Sequence, residues 1–169
     1  MYTEDQVNAR IEALAAQISS DYEGRTVHVI CLLKGAAFFT SALTKRLTVP
    51  VTMDYMSASS YGASTKSSGV VRINKDLDEP IDDKDVLVIE DIIDSGRTLG
   101  YILGLLGDRE PKSLRLCVLL DKPDRRVVEV PVDYTGFEIP DEFVVGCGMD
   151  YAQLYRNLPY IGIVKFDEE

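Results

Sequence analysis

Val86-Leu87-Val88-Ile89 is an unbroken apolar run that ends in two adjacent carboxylates, Glu90 and Asp91. A short run rich in β-branched residues is the pattern of a strand buried on both faces, which is how strands of parallel sheets are placed. Beyond the acids come Ile92-Ile93, a third carboxylate at Asp94, then Ser95-Gly96 and a helical pattern from Arg97 to Leu106. The chain thus passes from buried strand to helix through an acidic turn. In open α/β sheets, ligands sit outside the carboxyl ends of the strands.

The remaining segments repeat this plan. Val27 to Leu33 and Leu114 to Leu120 are two more nearly continuous apolar runs, and Pro50 precedes another at Val51 to Met56. Helical spacing of Val7, Ile11, Leu14, Ala15 and Ile18 predicts a helix over residues 4 to 20, with Thr3 and Gln6 as a capping box. A second helix is expected at about 36 to 47, after Gly35. Ser57 to Gly69 is rich in Ser, Gly and Thr and reads as a long loop. The tail carries short apolar runs at Phe143 to Val145 and Ile161 to Val164. Strands alternating with helices imply a parallel sheet covered on both faces. With no internal repeat and no linker, residues 1–169 are expected to form a single α/β domain.

A net charge of −10 disfavours nucleic-acid polymers as partners, because an acidic surface repels their phosphates. Any phosphate ligand must then be met by a local feature or by a metal. The polar, acidic start of the chain is no signal peptide, and no apolar run approaches a membrane span, so no membrane role and a cytoplasmic location are expected. Cys31, Cys117 and Cys147 lack zinc-site spacing and read as small buried hydrophobes, and His28, inside an apolar run, reads as a core histidine. Gly100, Gly104 and Gly107 are expected to let their helix approach the sheet closely.

The turn from Glu90 to Thr98 has the composition of a phosphate cradle. Unpaired N–H groups at a helix start lie in a positive dipole field. Ser95 and Thr98 add hydroxyls, and Gly96 permits close backbone approach. Glu90 and Asp91 would repel a bare phosphate, so they suit sugar hydroxyls or a hard cation. An isolated Asp-Ser-Gly would merely cap a helix, but three clustered carboxylates are harder to explain that way.

Glu90-Asp91-Ile92-Ile93-Asp94-Ser95-Gly96-Arg97-Thr98 resembles the phosphoribosyl pyrophosphate signature of type I phosphoribosyltransferases, in the form of the hypoxanthine-guanine (6-oxopurine) branch. The resemblance covers nearly the whole chain. Leu33-Lys34-Gly35 is similar to the family's pyrophosphate loop, Ser60-Tyr61 to the start of its mobile lid, and Lys122 to its purine-reading lysine. Gly136-Phe137-Glu138-Ile139-Pro140-Asp141 and Phe143-Val144-Val145-Gly146 through Asp150-Tyr151 are similar to its base-pocket segment, and Arg156 to a pyrophosphate-contacting arginine. Arg97, where many members have lysine, and Cys147, where some have tyrosine, are departures that touch none of the assigned chemistry.

The resemblance implies the type I fold: a central parallel sheet flanked by helices, a small hood and a mobile lid. It implies transfer of ribose 5-phosphate from phosphoribosyl pyrophosphate to hypoxanthine or guanine, with Mg2+ as cofactor and a homodimer or homotetramer as the assembly. Asp94 is then the general base for the purine N7 proton, or only its hydrogen-bond partner. Lys122 would donate to O6. Phe143 would stack on the base, plain core packing being the alternative, and the Val144 backbone would read the base edge. Glu90, Asp91 and Asp150 would serve the metal. Lys34, Gly35 and Arg156 would meet pyrophosphate, with the Lys34-Gly35 backbone turned toward it. Rival expectations are a non-catalytic, RNA-binding regulator on this fold, which would need a basic face, and a transferase for xanthine or a pyrimidine.

Overall fold

A computed structural model describes residues 1–60 and 71–166. Helix α1 spans Glu4–Asp21, and its first turn is closed by the expected reciprocal cap: Gln6 N–H donates to Thr3 Oγ1 at 3.3 Å, and Thr3 N–H donates to Gln6 Oε1 at 2.9 Å. Strand β1 (Val27–Leu33) leads into α2 (Ala36–Thr44), which stops short of residue 47, and then into β2 (Val51–Ser60) and β3 (Val71–Lys75). Strand β4 (Asp85–Ile93), helix α3 (Arg97–Gly107) and strand β5 (Ser113–Asp121) follow. A short 3-10 helix (Pro123–Arg125) connects to β6 (Tyr134–Glu138), and the chain ends with β7 (Val144–Val145) and β8 (Gly162–Ile163).

The main sheet has the order β3-β2-β1-β4-β5-β6, with every neighbouring pair parallel except β2–β3. Successive residues of a strand face opposite sides, so each apolar run feeds two cores. Val29, Leu87, Ile89, Cys117 and Leu119 pack with α1 and α2. Ile30, Leu32, Val86, Val88, Leu116 and Val118 pack with Leu99, Ile102 and Leu106 of α3. Cys31 and Cys117 are buried and unpaired, while Cys147 is only half-buried. His28 is buried in β1, with Nδ1 2.8 Å from Thr52 Oγ1. No helix is long and apolar enough to cross a membrane, among the described residues.

Two expectations need correction, and strand β6 went unread. Ser57 to Ser60 are not loop: they continue β2 and pair with β3 as an antiparallel ladder. One face of such a ladder is solvated, so serine is accommodated there without an apolar signature. Strand β6 left no strong signal either, because Gly136 stands in its middle; a Cβ there would lie 2.3 Å from the Leu119 carbonyl oxygen. Of the α3 glycines, only Gly100 makes a close approach, toward Val128 and Val130, while Gly104 and Gly107 face open space.

Strands β7 and β8 form a separate two-stranded antiparallel sheet, the element expected as the hood. Tyr2 exchanges two backbone hydrogen bonds with Ile161, each 3.0 Å, and its ring stacks on Phe137 at 4.0 Å. These contacts hold the small sheet against the β6 edge of the large one.

Candidate active site

Strands β1, β4 and β5 run parallel and in register, so their carboxyl ends open onto one side of the sheet. Lys34 and Gly35 follow β1, Asp94 follows β4 and Lys122 follows β5. Glu90 and Asp91 lie inside β4, whose pairing with β5 runs on to Ile93 and Asp121. The strand therefore does not end at its acids, as the apolar pattern suggested. It carries them within its last turns of pleat, held by the ladder.

Each of these two half-buried carboxylates accepts the N–H of the next residue: Asp91 N to Glu90 Oε1 at 3.0 Å, and Ile92 N to Asp91 Oδ1 at 2.8 Å. Burial, with the Asp91 charge added, pushes the Glu90 carboxyl well above the usual carboxylate range. Burial also raises Asp91, against the opposing effects of its hydrogen bonds and of the Arg156 charge.

At the end of β4 the chain turns through Asp94-Ser95-Gly96. Gly96 is the residue before α3 and has φ +80°, a left-handed conformation that favours glycine. A Cβ on it would meet the Val128 carbonyl oxygen at 2.5 Å. The close approach at this glycine is thus with the chain's own segment 126–130, not with open space reserved for an anion. That segment also shapes the turn: Val127 and Val128 N–H both donate to the Ser95 carbonyl, at 2.9 and 3.0 Å, and Arg126 Nε donates to the Asp94 carbonyl at 3.1 Å. Arg126 in turn pairs with Asp121. The first-turn N–H groups of α3 have no helical carbonyl to pair with. Ser95 and Thr98 are half-buried beside them, while Arg97 is exposed.

A cavity of about 560 Å³ opens over these strand ends, lined by Asp91, Ile92, Asp94, Lys122, Arg125, Asp141, Phe143, Val144, Met149 and Asp150. Lys122 is only 9% exposed, unusual for a lysine, and its Nζ donates to Asp141 Oδ1 at 3.4 Å. Arg125 Nε donates to Asp94 Oδ1 at 3.1 Å, and its Nη1 lies 3.5 Å from Asp141 Oδ2. The buried Val144 comes from the small sheet, and Phe143, 45% exposed, immediately precedes it. A larger hollow, about 730 Å³, lies against α1, but it gathers none of the strand-end residues.

Asp150 sits at the cavity rim with Oδ1 2.8 Å from Arg156 Nη2 and Oδ2 accepting from Gln153 N–H at 2.7 Å. Lys34 Nζ and Arg156 Nη2 converge on one neutral oxygen, Gln153 Oε1, at 3.4 and 3.3 Å. The Leu33–Lys34 peptide bond is cis. Gly35 is pinched between two neighbours: a Cβ on it would lie 1.7 Å from Asp91 Oδ2, and a Cβ on Gly148 would lie 1.8 Å from the Gly35 carbonyl oxygen. Ser60 closes β2, and Tyr61, with the lid expected to begin there, lies outside the described residues.

The structure thus brings Asp91, Asp94, Lys122, Phe143, Val144 and Asp150 to one cavity, and places Lys34, Gly35 and Arg156 beside it. Arg125 and Gln153 were not anticipated. Arg125 follows the end of β5 closely enough for the strand-end rule to have included it. Gln153 carried no signal, because its position depends on left-handed backbone at Ala152, Gln153 and Tyr155.

Magnesium favours one or two carboxylates together with substrate oxygens over an all-protein cage. Among the described residues, no three His, Cys, Asp or Glu side chains cluster to hold a metal by themselves. Adjacent carboxylates on β4, with Asp91 and Asp150 facing the same cavity, fit an ion that keeps substrate oxygens among its ligands.

Residues 2–152 match the phosphoribosyl transferase domain family. The chain is 52% identical over 171 residues to a hypoxanthine phosphoribosyltransferase of Salmonella typhimurium, covering 99% of this chain and 96% of that one. It is also 52% identical over 165 residues to the bifunctional protein TilS/HprT of Listeria monocytogenes, where the match spans 98% of this chain but only 26% of the relative. Among solved structures, a hypoxanthine phosphoribosyltransferase of Staphylococcus aureus superposes with TM-score 0.94 at 47% identity, covering 98% of this chain and 90% of that one. A hypoxanthine-guanine phosphoribosyltransferase of Bacillus anthracis gives TM-score 0.94 at 46% identity, covering 98% and 97%.

Proposed function

The chain belongs to the phosphoribosyltransferase family, and we propose that it is a purine-salvage enzyme joining hypoxanthine or guanine to ribose 5-phosphate from phosphoribosyl pyrophosphate, releasing IMP or GMP and pyrophosphate. The observation that carries this reading is the cavity itself. It sets a buried lysine, an aromatic ring and the strand-end acids around one space, over the turn that opens α3.

The 5′-phosphate belongs on the Asp94 to Thr98 turn, where Ser95, Gly96, Arg97 and Thr98 offer N–H groups, hydroxyls and one cationic side chain. Pyrophosphate belongs beside Lys34, Gly35 and Arg156, whose two cations converge on a single oxygen in this structure. The purine lies against Phe143, its edge read by the Val144 backbone. Lys122 Nζ donates to O6 of a 6-oxopurine. Adenine presents a donor at that position and would leave the buried ammonium unpaired, which disfavours it.

The bond from the ribose anomeric carbon to pyrophosphate breaks, positive charge builds on the sugar ring, and the purine nitrogen attacks. Asp94 takes the N7 proton on its carboxylate, which Arg125 orients through Oδ1. Glu90, Asp91 and Asp150 would hold Mg2+, which supplies charge neutralisation to the departing pyrophosphate. A homodimer or homotetramer in the cytoplasm is part of the same proposal, as is the treatment of residues 1–169 as one domain.

Incubation with labelled phosphoribosyl pyrophosphate and a panel of bases tests the reading directly. Hypoxanthine and guanine should be converted and adenine should not. Conversion of pyrimidines alone, or of no base, overturns it.

A further inference from the structure

Three aromatic rings meet at the mouth of the cavity, from three separate points of the chain. Phe143 lies edge-to-face with Tyr151 (centroids 5.7 Å apart, planes at 88°) and with Phe166 (5.8 Å, 74°), while Tyr151 and Phe166 also touch at 5.6 Å and 68°. All three are substantially exposed, Phe166 at 57%, so burial in the core does not explain the arrangement. Local structure delivers them: Tyr151 follows Asp150, and Phe166 arrives through β8, where Val144 pairs with Ile163 and Val164 N–H donates to the Phe143 carbonyl at 2.8 Å. Only Phe143 of the three lines the cavity.

Phe143 is exposed and stands just before a two-residue strand, so its ring depends on its neighbours to fix it. Edge-on neighbours fix it, because the positive ring edge is drawn to a negative ring face. We propose that Tyr151 and Phe166 are positioning residues for base binding: they hold the Phe143 ring as a platform and so set affinity for the purine without touching it. The inference rests on Phe143 being the base platform, and the experiment separates the two ideas.

Phe143→Ala, Phe166→Ala and Phe166→Tyr are compared by steady-state kinetics with each substrate varied in turn, alongside thermal denaturation. Phe143→Ala should raise KM for hypoxanthine. Phe166→Ala should raise the same KM by about two- to twelvefold, the range expected for an aromatic pair, with KM for phosphoribosyl pyrophosphate and the melting temperature little changed. Phe166→Tyr, which keeps the ring, should restore the wild-type value. If Phe143→Ala raises the base KM and Phe166→Ala does not, the positioning role is wrong. A parallel rise in both KM values with a lowered melting temperature would mean that Phe166 is structural, which also overturns the proposal. If Phe143→Ala itself leaves the base KM unchanged, the platform reading fails and takes this inference with it. Phe166→Leu, which keeps apolar bulk without a ring, covers the case of an alanine variant that does not fold; wild-type kinetics in that variant contradict the role.

Discussion

The Asp91 carboxylate occupies the space a side chain on Gly35 would need, its Oδ2 lying 1.7 Å from where a Cβ would stand. The loop after β1, proposed to meet pyrophosphate, and the acid pair are therefore in direct contact, and the identity of residue 35 controls both. Gly35→Ala should displace Asp91 and the loop together. Overpacking of this kind costs about 1–3 kcal/mol of stability, and the loss of kcat/KM for phosphoribosyl pyrophosphate should be larger than the stability loss alone explains. Kinetics and denaturant unfolding of the variant check this; wild-type KM for phosphoribosyl pyrophosphate would contradict it.

Asp94→Asn keeps the size of the side chain and the contact with Arg125 but cannot accept a proton at neutral pH. General-base catalysis contributes about 10²–10⁴-fold, so the single-turnover rate should fall within that range, with nucleotide-product binding changed less. Single-turnover measurement avoids confusion with slow product release. A chemical step within about threefold of wild type would remove Asp94 from the base role.

Lys122→Ala should cost more with hypoxanthine or guanine than with adenine, narrowing the discrimination between them. Its partner Asp141 is half in solvent, so losing the ion pair should change stability by no more than about 1 kcal/mol. Equal losses with every base would make Lys122 an electrostatic bystander.

Turnover should require Mg2+ or Mn2+ and stop in excess EDTA, because the pyrophosphate of the proposed reaction must have its charge neutralised as it leaves, on a protein of net charge −10. Full activity in chelator would contradict the roles of Glu90, Asp91 and Asp150.

His28 predicts a pH effect remote from the chemistry. Burial, reinforced by the Lys84 charge, lowers its pKa in the folded chain. The unfolded chain takes up a proton near pH 6.5, while the folded chain resists it to lower pH. The contribution of neutral His28 is thus complete above about pH 6.5 and is lost as pH falls toward the folded value. Urea unfolding at several pH values should show a steeper loss on acidification in wild type than in His28→Gln. Identical pH slopes would show that the histidine does not titrate differently on folding.

The main strands and helices could be read from the chain because each apolar run serves both cores, leaving a continuous signature at Val27–Leu33, Val86–Ile89 and Leu116–Leu120. Strand β3 and the polar end of β2 escaped because an antiparallel pair with a wet face needs no such run. At the site, Asp94, Lys122 and Asp150 were legible through motif resemblance; strand register explains the meeting of Asp94 and Lys122, while Asp150 is carried in by the turn that follows β7. Gln153 between Lys34 and Arg156 was not legible, since it depends on left-handed turns that local composition does not specify, whereas Arg125 on Asp94 lay within reach of the strand-end rule and was passed over.

Phe143 adjoins β7 and β8, which share two residue pairs, whereas the Asp94–Thr98 turn extends from a strand flanked on both sides in a six-stranded sheet. The two halves of the site therefore belong to units of different local unfolding free energy. Amides of the small sheet should exchange with deuterated solvent well before those of β1, β4 and β5. If the purine sits on Phe143 as proposed, its binding should slow that exchange selectively, part of the binding energy going into ordering that surface.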